Sequence, residues 1–500
     1  MIDSRKLILK GFIYTTIGLV FSKIFTYGWR VIVARVGAEE YGMLSLVLAI
    51  FQFLVPISAL GLSFAVERYV SFYVGKDDRV GAKSTIVNSL RVSFASSIIF
   101  AFILYFSSEF IAISVFSEPG MVSILKIFSV FLPILVLSRL LTPMFRIYNR
   151  LDLSTGIKSI LEPSLKLLLS ILLIYLGYGI FGVSFAYLFA IAASFVFMFY
   201  FSRKYCFDFL DKTIPIRNNL SELLHYSMPL IISGFAGFIL METDTLMLGY
   251  FKDMAQVGIY NVAYPTASLL LIIPSGLLVV FMAITTKYLA KNKLEEIRDT
   301  YRFVTKWIFV LNFFIYMVMF TYSDKLILFL FGEEYILAGP VLKILVTGIF
   351  LKSLLGTSAF SILNMFKKTK TTMSVVIITA ILNIILNYNL IPLYGMIGAA
   401  ASTLVSMLIY ISLLQYFTLK QINIVPFSKD MVLSAVCSII LFYGVIKILH
   451  IIFGSISVYW GLVIIPMIGI IYIAILYLFK IITIGEFNTF LDLVKRKYVS

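Results

Sequence analysis

The sequence predicts an all-α membrane protein with about fourteen transmembrane helices. Of its 500 residues, 61% are hydrophobic and only 13% are charged. Apolar segments of the roughly 20 residues needed to cross a bilayer as a helix recur from one end of the chain to the other. The stretches between them are too short for a soluble domain. The chain is therefore expected to work inside the membrane.

The predicted spans follow one another with short connections. In chain order they lie near residues 11–36, 43–64, 87–106, 121–142, 157–176, 179–201, 226–248, 258–283, 303–322, 336–360, 371–391, 396–417, 429–451 and 456–480. The first span follows a basic N-terminus, as a signal peptide would. It is too long for one, lacks a small-residue cleavage site and contains Lys23 and Arg30, so it is interpreted as a retained helix.

The formal net charge of +16 is distributed unevenly between alternate loops. Basic clusters such as Arg5-Lys6, Arg203-Lys204 and Lys367-Lys368 fall on one side of the predicted spans, whereas the other side receives little more than Arg35, Lys252 and Lys325. This is the positive-inside pattern, and it predicts a multi-pass protein of the cytoplasmic membrane with both termini in the cytoplasm. The same distribution argues against a nucleic-acid partner.

An internal repeat divides the chain. Tyr41-Gly42-Met43 corresponds to Val257-Gly258-Ile259, and Gly179-Ile180-Phe181-Gly182-Val183 corresponds to Gly395-Met396-Ile397-Gly398-Ala399, both at an offset of 216 residues. The offset covers six spans, so equivalent helices should point the same way. The prediction is two pseudo-symmetric six-helix lobes, residues 1–210 and 211–420, followed by two additional helices and a tail in residues 421–500. Parallel repeats of this kind are typical of transporters that alternate access.

Sites of covalent chemistry are not indicated. Cys206 and Cys437 lie far apart, and His225 and His450 are isolated, so no disulfide framework, metal site or cofactor is predicted. No phosphate-binding loop, zinc-protease helix or nucleophile elbow is present in the sequence. The chain is accordingly expected not to be an enzyme.

Four motifs in order carry a resemblance to a known family. They are Ala34-Arg35-Val36-Gly37-Ala38-Glu39-Glu40-Tyr41-Gly42, Asp244-Thr245-Leu246-Met247-Leu248-Gly249-Tyr250-Phe251, Gly332-Glu333-Glu334-Tyr335, and Asn383-Ile384-Ile385-Leu386-Asn387 followed by Ile391-Pro392-Leu393-Tyr394-Gly395. They resemble the polysaccharide and lipid-linked oligosaccharide flippases of the multidrug/oligosaccharidyl-lipid/polysaccharide exporter superfamily. That resemblance implies an inverted-V, two-lobed fold like that of the multidrug exporters. It also implies a lipid-linked (pyro)phosphate oligosaccharide as cargo, contact with membrane lipids, and a coupling ion (H+ or Na+) and glycan-assembly proteins as further candidate partners.

The first span carries the candidate phosphate ligands. A charge at mid-bilayer costs about 2.5 to 3.5 kcal/mol on insertion scales, so an embedded cation requires a reason. Lys23 and Arg30 are seven residues apart and share one helical face, with Tyr27 between them. They are expected to face a cavity and bind an anionic headgroup. The alternative is that Arg30 reaches the outer interface while Lys23 pairs with a carboxylate.

Further charges are embedded in the fourth, fifth and seventh spans. Lys158, Glu162 and Lys166 repeat every four residues, so either they neutralise one another or Lys166 contacts the headgroup. Arg139 is a candidate for the cytoplasmic mouth of the cavity, with a solvated interface as the alternative. On the seventh span, Glu242 and Asp244 lie about 200° apart on a helical wheel, so only one can face the cavity, and we expect this to be Asp244. Its role would be ion pairing or cation coupling.

Two rival functions differ from the flippase interpretation. A cation-coupled multidrug exporter of the same superfamily generally needs acidic cavity residues, often on the first span, where this chain has Lys23 and Arg30 instead. A membrane glycan polymerase or glycosyltransferase needs a carboxylate cluster or a sizeable outer loop, and neither is evident. The sequence therefore favours an anionic substrate.

Overall fold

A computed structural model describes residues 4–424, 429–453, 469, 471–472 and 474–478, and the regular structure of these residues is helical. This confirms the all-α class. The α-helices are α1 (Ser4–Ala34), α2 (Ala38–Ser58), α3 (Leu62–Ala65), α4 (Ser71–Gly75), α5 (Arg79–Glu109), α6 (Met121–Ile147), α7 (Leu151–Thr155), α8 (Glu162–Tyr175), α9 (Gly179–Phe201), α10 (Leu220–Phe251), α11 (Met254–Ala267), α12 (Ile272–Ala290), α13 (Leu294–Thr321), α14 (Ser323–Phe331), α15 (Ala338–Leu351), α16 (Thr357–Met365), α17 (Thr369–Ile422) and α18 (Lys429–Phe453).

Within the described residues, eight helical segments are long and apolar enough to cross a membrane. They are Ala38–Ser58, Arg79–Val115, Met121–Ile147, Gly179–Cys206, Met254–Leu278, Leu294–Thr321, Ala338–Met365 and Thr369–Ile422. The protein is therefore a multi-span membrane protein, while the full count of fourteen stays a prediction. The last predicted span, residues 456–480, lies largely outside the described residues.

The chain forms two compact units, residues 1–261 and residues 262–500. In the first unit α5 packs on α6, α8 on α9, and α6 also contacts both α2 and α9. Apolar side chains join these helices: the rings of Phe51 and Phe128 meet edge to face at 5.1 Å, and both side chains are fully buried. The lobe boundaries that the internal repeat predicts, at residues 210 and 420, stay predictions.

Two helices of the first unit approach each other at glycines. A Cβ atom added to Gly42 of α2 would overlap the carbonyl oxygen of Met254 and lie 2.8 Å from the amide nitrogen of Gly258. A Cβ atom on Gly258 of α11 would in turn overlap the carbonyl oxygen of Ala38. Small residues permit such close backbone contact between membrane helices. The two glycines of the predicted repeat therefore lie against each other.

A polar network ties the segment after α9 to the start of α5. The ammonium group of Lys83, only 4% exposed, donates to the carbonyl oxygens of Asp211 (2.5 Å) and Ile214 (2.6 Å). Asp78 caps α5 by accepting from the Gly81 amide at 2.8 Å, and it also pairs with Arg217 at 3.0 Å. Since buried backbone carbonyls need donors, Lys83 determines the path of this segment.

A further hydrogen-bond pair shapes the same segment. The hydroxyl and the amide of Thr213 both donate to the Asp211 carboxylate, at 2.6 and 2.9 Å. These hydrogen bonds favour the ionised form and lower the pKa of Asp211 from its ordinary value. The carboxylate is exposed and holds a turn rather than a ligand.

In the second unit α15 packs on α17, and α13 contacts both α15 and α18. The rings of Phe309 and Phe313 stack at 4.9 Å, and those of Tyr316 and Phe350 stack at 4.7 Å. The long helix α17 is broken at Gly395, which has φ +56° and ψ −134°. Glycine adopts this conformation without the steric cost that a side chain brings. The break falls between the predicted spans 371–391 and 396–417.

Candidate functional site

A cavity of about 550 Å³ opens within the first unit. Helices α1, α2, α6, α8, α9, α10 and α11 all contribute side chains to it. Its lining includes Thr26, Trp29, Arg30, Ser45, Gln52, Ser63, Phe64, Arg139, Pro163, Lys166, Tyr187, Phe238, Met241, Glu242 and Asn261. Three cations and one carboxylate thus share a single cavity at the level of membrane-spanning helices.

Arg30 reaches the cavity from α1 and is held by its neighbours. Its guanidinium donates to the hydroxyl of Tyr41 at 3.2 Å, and that hydroxyl donates to the carbonyl oxygen of Asn261 at 3.3 Å. The helix itself is fixed by Trp29, whose indole N–H donates to Ser170 of α8 at 3.0 Å. The negative charge of Glu242 acts on Arg30 across the cavity.

Arg139 enters the cavity from α6. Its side chain is exposed to the open space, and a guanidinium nitrogen lies 2.5 Å from the amide oxygen of Gln52 on α2. Among the residues that the structure describes, no carboxylate forms an ion pair with Arg139. Its positive charge is therefore available to whatever enters the cavity.

Lys166 belongs to a chain of charges on one face of the fifth predicted span. Glu162 pairs with Lys158 at 2.9 Å and with Lys166 at 3.0 Å, so that one carboxylate serves two ammonium groups. Lys158 lies in the π-helical segment Gly156–Leu161, directly before α8. The ammonium of Lys166 also lies 4.0 Å from the ring centroid of Tyr187, a cation–π distance. The ion pairs show the mutual neutralisation that the sequence offered as one alternative, and Lys166 also lines the cavity, while its contact with a headgroup stays a prediction.

The carboxylates of α10 occupy different environments. Glu242 lines the cavity, whereas Asp244 is 6% exposed and accepts a short hydrogen bond from the hydroxyl of Tyr260 on α11. The helical wheel correctly separated the two residues onto different faces. Which face meets the cavity depends on where α11 packs, and the structure places Glu242 there instead of Asp244.

The other candidates of the first span lie outside this lining. Lys23 is exposed and Tyr27 is half-buried, and neither belongs to the cavity lining. Lys23 and Arg30 share a helical face, but seven residues of α-helix separate them by about 10 Å along the axis. The cavity wall of α1 includes Thr26, Trp29 and Arg30, so it does not extend to Lys23.

The lining residues that were not foreseen from the sequence include Trp29, Gln52, Tyr187 and Asn261. Gln52 could have been found, because an uncharged amide within the apolar α2 is a polar group that needs a partner in the membrane. Trp29 and Tyr187 read as ordinary apolar helix residues. Their 5.7 Å ring contact arises only from the packing of α1 against α8 and α9.

Comparison with family models identifies the chain's relatives. The model described as polysaccharide biosynthesis protein matches residues 8–285, which is more than half of the chain. The chain belongs to the polysaccharide biosynthesis protein family. A second model, described as MatE, matches residues 229–389. Together they confirm the resemblance to the exporter superfamily that the four motifs carried.

Relatives of this polysaccharide biosynthesis family member occur in archaea. An uncharacterized membrane protein of Methanocaldococcus jannaschii is 27% identical over 383 residues, which covers 73% of this chain and 74% of the relative. A probable low-salt glycan biosynthesis flippase of Haloferax volcanii is 25% identical over 197 residues, or 38% of this chain and 40% of the relative. The second match therefore concerns only part of either protein.

Solved structures share the fold of this family member. The lipid II flippase MurJ in an inward closed conformation superposes with a TM-score of 0.72 at 16% identity, covering 93% of this chain and 97% of that one. A multidrug resistance MATE family transporter of the MOP superfamily, in an inward-facing conformation, gives a TM-score of 0.71 at 15% identity, covering 80% and 94%. At these identities the likeness shows the fold, which is that of the MATE-like exporters.

Charge is unequally compensated around the cavity of this polysaccharide biosynthesis family member. Arg139 and Lys166 line the cavity, and the nearby carboxylate of Glu162 already pairs with both Lys158 and Lys166, so three cations face one carboxylate. Arg30, in contrast, has the opposing charge of Glu242. Uncompensated charge away from water is costly, so the surroundings of Arg139 and Lys166 favour an anion in the cavity.

Proposed function

We propose that the protein is a flippase that moves lipid-linked oligosaccharide or polysaccharide precursors across the cytoplasmic membrane. The observation that carries the proposal is the cavity with three cations and one carboxylate, built inside a member of the polysaccharide biosynthesis family. The name of the Haloferax volcanii relative, a probable low-salt glycan biosynthesis flippase, supports the same activity.

The cations suit the phosphate or diphosphate that joins lipid to glycan. Arginine presents a planar fork of donors that matches two phosphate oxygens, while lysine supplies a compact charge. Arg139 and Lys166 approach the cavity from two different helices, so an anion between them can be contacted from more than one side.

The remaining lining suits sugar rings. Gln52, Glu242 and Asn261 line the cavity with polar groups that can hydrogen-bond to sugar hydroxyls. The acyl chain needs no such site, because it can stay in the bilayer while the polar head crosses through the protein. Translocation by alternating access makes and breaks no covalent bond, so we propose a transporter rather than an enzyme.

A reconstituted assay tests the proposal. The full chain is placed in liposomes that contain a fluorescent, short-chain prenyl-diphosphate sugar, and a membrane-impermeant reductant then bleaches the outer leaflet. Protein-free liposomes should lose about half of the signal. Liposomes with the protein should lose nearly all of it, because flipped molecules become accessible.

A cation-coupled multidrug exporter is the rival within the superfamily, since Glu242 gives the cavity one acidic group. The same liposomes loaded with a fluorescent organic cation distinguish the two. Efflux of the cation driven by a proton or sodium gradient, together with no flipping of the prenyl-diphosphate sugar, would overturn the proposed function.

A further inference from the structure

The two cavity arginines, Arg30 and Arg139, differ in the hydrogen-bond partners and opposing charges that the protein itself provides. The guanidinium of Arg30 has the Tyr41 hydroxyl at 3.2 Å and the opposing charge of Glu242. Arg139 has only the neutral amide oxygen of Gln52 as its hydrogen-bond partner among the described residues. The two arginines are thus not equivalent as ligands.

Arg139 and Lys166 line the same cavity, and the positive charge of Arg139 acts unfavourably on that of Lys166. Glu162 acts on both, but it is shared with Lys158, so three positive charges meet one negative charge. Like charges held together without enough counter-charge form a site that an anion would stabilise.

The geometry around Lys166 fixes where its charge is presented. The carboxylate of Glu162, four residues earlier on the same helix, lies 3.0 Å from the Lys166 ammonium. The ring centroid of Tyr187 on α9 lies 4.0 Å from the same ammonium. The Lys166 side chain is 16% exposed, so its head is confined to this position at the cavity surface. Such confinement reduces the entropy that a ligand would otherwise have to remove from a flexible lysine.

We infer that the anionic group of the cargo binds between Arg139 of α6 and Lys166 of α8, and not at Arg30. This inference rests on the proposed function. Glu162 partly neutralises this anion subsite, because its carboxylate pairs with Lys166 and is shared with Lys158. Arg30 instead joins α1 to Tyr41 of α2 through its own hydrogen bond.

Binding of farnesyl diphosphate to the purified full-length protein tests the subsite, with farnesol as the uncharged probe. Arg139→Gln and Lys166→Gln should each weaken farnesyl diphosphate binding by about 10-fold or more, since a charge-assisted hydrogen bond is lost. Binding of farnesol should not change. The matched control is Arg146→Gln, which removes one charge from an exposed pair with Glu67 outside the cavity.

The sign of the Glu162 effect separates a binding role from a structural one. Glu162→Gln removes the competing carboxylate while keeping the shape, so farnesyl diphosphate should bind more tightly, by several-fold. If the charge chain were only structural, Glu162→Gln would weaken binding as Lys166→Gln does. If Lys166→Gln folds poorly, the Glu162→Gln, Lys166→Gln double variant replaces it, because the two glutamine amides can hydrogen-bond to each other without charge. This double variant should still bind farnesyl diphosphate weakly.

Wild-type affinity in folded Arg139→Gln and Lys166→Gln proteins, with affinity lost in Arg30→Gln, would overturn the inference. The liposome assay keeps this result apart from the proposed function. Flipping that persists in both α6–α8 variants refutes the subsite alone. Farnesyl diphosphate binding that depends on Arg139 and Lys166, in a protein that flips no prenyl-diphosphate sugar, refutes the flippase alone.

Discussion

Arg30 illustrates how a half-buried arginine can be held by its neighbours. It donates to Tyr41, which in turn donates to the backbone of Asn261, so the guanidinium connects α1 to α2 and α11. Lys23, two turns earlier on the same helix, is exposed. A residue's role at this scale follows from what surrounds it, and helical spacing alone does not supply that information.

Substitutions of the two first-span cations should therefore have unequal effects. Arg30→Gln should lower the thermal stability of the protein, because the charged donor to Tyr41 is lost and Glu242 is left without its opposing charge. Arg30→Lys should restore stability only in part, since an ammonium lacks the planar fork. Lys23→Gln is the matched control and should leave stability unchanged. Thermal unfolding in detergent measures all three.

The sequence alone had assigned phosphate binding to both Lys23 and Arg30, and flipping rates test that prediction directly. Normal flipping by a well-folded Lys23→Gln, Arg30→Gln double variant would end the hypothesis for the first span. It would leave Arg139 and Lys166 as the anion ligands.

At the scale of elements, α2 and α11 depend on glycines for their contact. A methyl group on Gly42 would meet backbone atoms of Met254 and Gly258, which cannot rotate away as a side chain could. The helices would have to separate along their whole contact. Overpacking of this kind typically costs about 1 to 3 kcal/mol.

Gly42→Ala should accordingly reduce the folded fraction and the unfolding temperature. Gly276→Ala in α12 is a suitable control, because a Cβ atom there meets nothing within 4 Å. Size-exclusion chromatography and thermal unfolding of both variants give the comparison. Equal stability of the two alanine variants would show that the α2–α11 contact can relax at no cost.

The segment after α9 is a second element whose position depends on one side chain. Lys83→Met should free the carbonyl groups of Asp211 and Ile214, each hydrogen bond to a charged donor contributing about 1.5 to 3 kcal/mol. Trypsin should then cleave faster after Lys212 and Arg217. Lys204→Met, which removes an exposed lysine, should not change the rate; unchanged cleavage in Lys83→Met would contradict the anchoring role.

For the whole molecule, the unequal loop charges predict the orientation in the membrane. Reporter fusions at Lys76, Lys293 and Ser500 should read as cytoplasmic, and a fusion at Lys252 as external, because basic loops are retained inside. Ser500 lies outside the described residues, so the fusion there also tests the two additional C-terminal helices. An external signal at Ser500 would remove one span from the predicted fourteen.

The predicted repeat also concerns the whole molecule. If the two lobes are related by a pseudo-twofold axis along the membrane normal, residues that correspond in the repeat can touch each other only near that axis. Gly42 and Gly258 are equivalent by the 216-residue offset and lie against each other in the first unit. The prediction remains that the two lobes superpose at this offset, and an experimental structure with halves of inverted topology would contradict it.

The sequence by itself determined the membrane class, the all-α fold class, the family and the embedded charges. These follow from local properties, since apolar runs, loop charges and motifs persist wherever the chain packs. It placed Arg30, Arg139 and Lys166 among the candidates. Only the tertiary structure decided which charges meet: Glu242 instead of Asp244 lines the cavity, and Gln52 and Tyr187 join it from other helices. Periodicity assigns residues to faces, whereas the neighbour of each face is set by packing between helices distant in sequence.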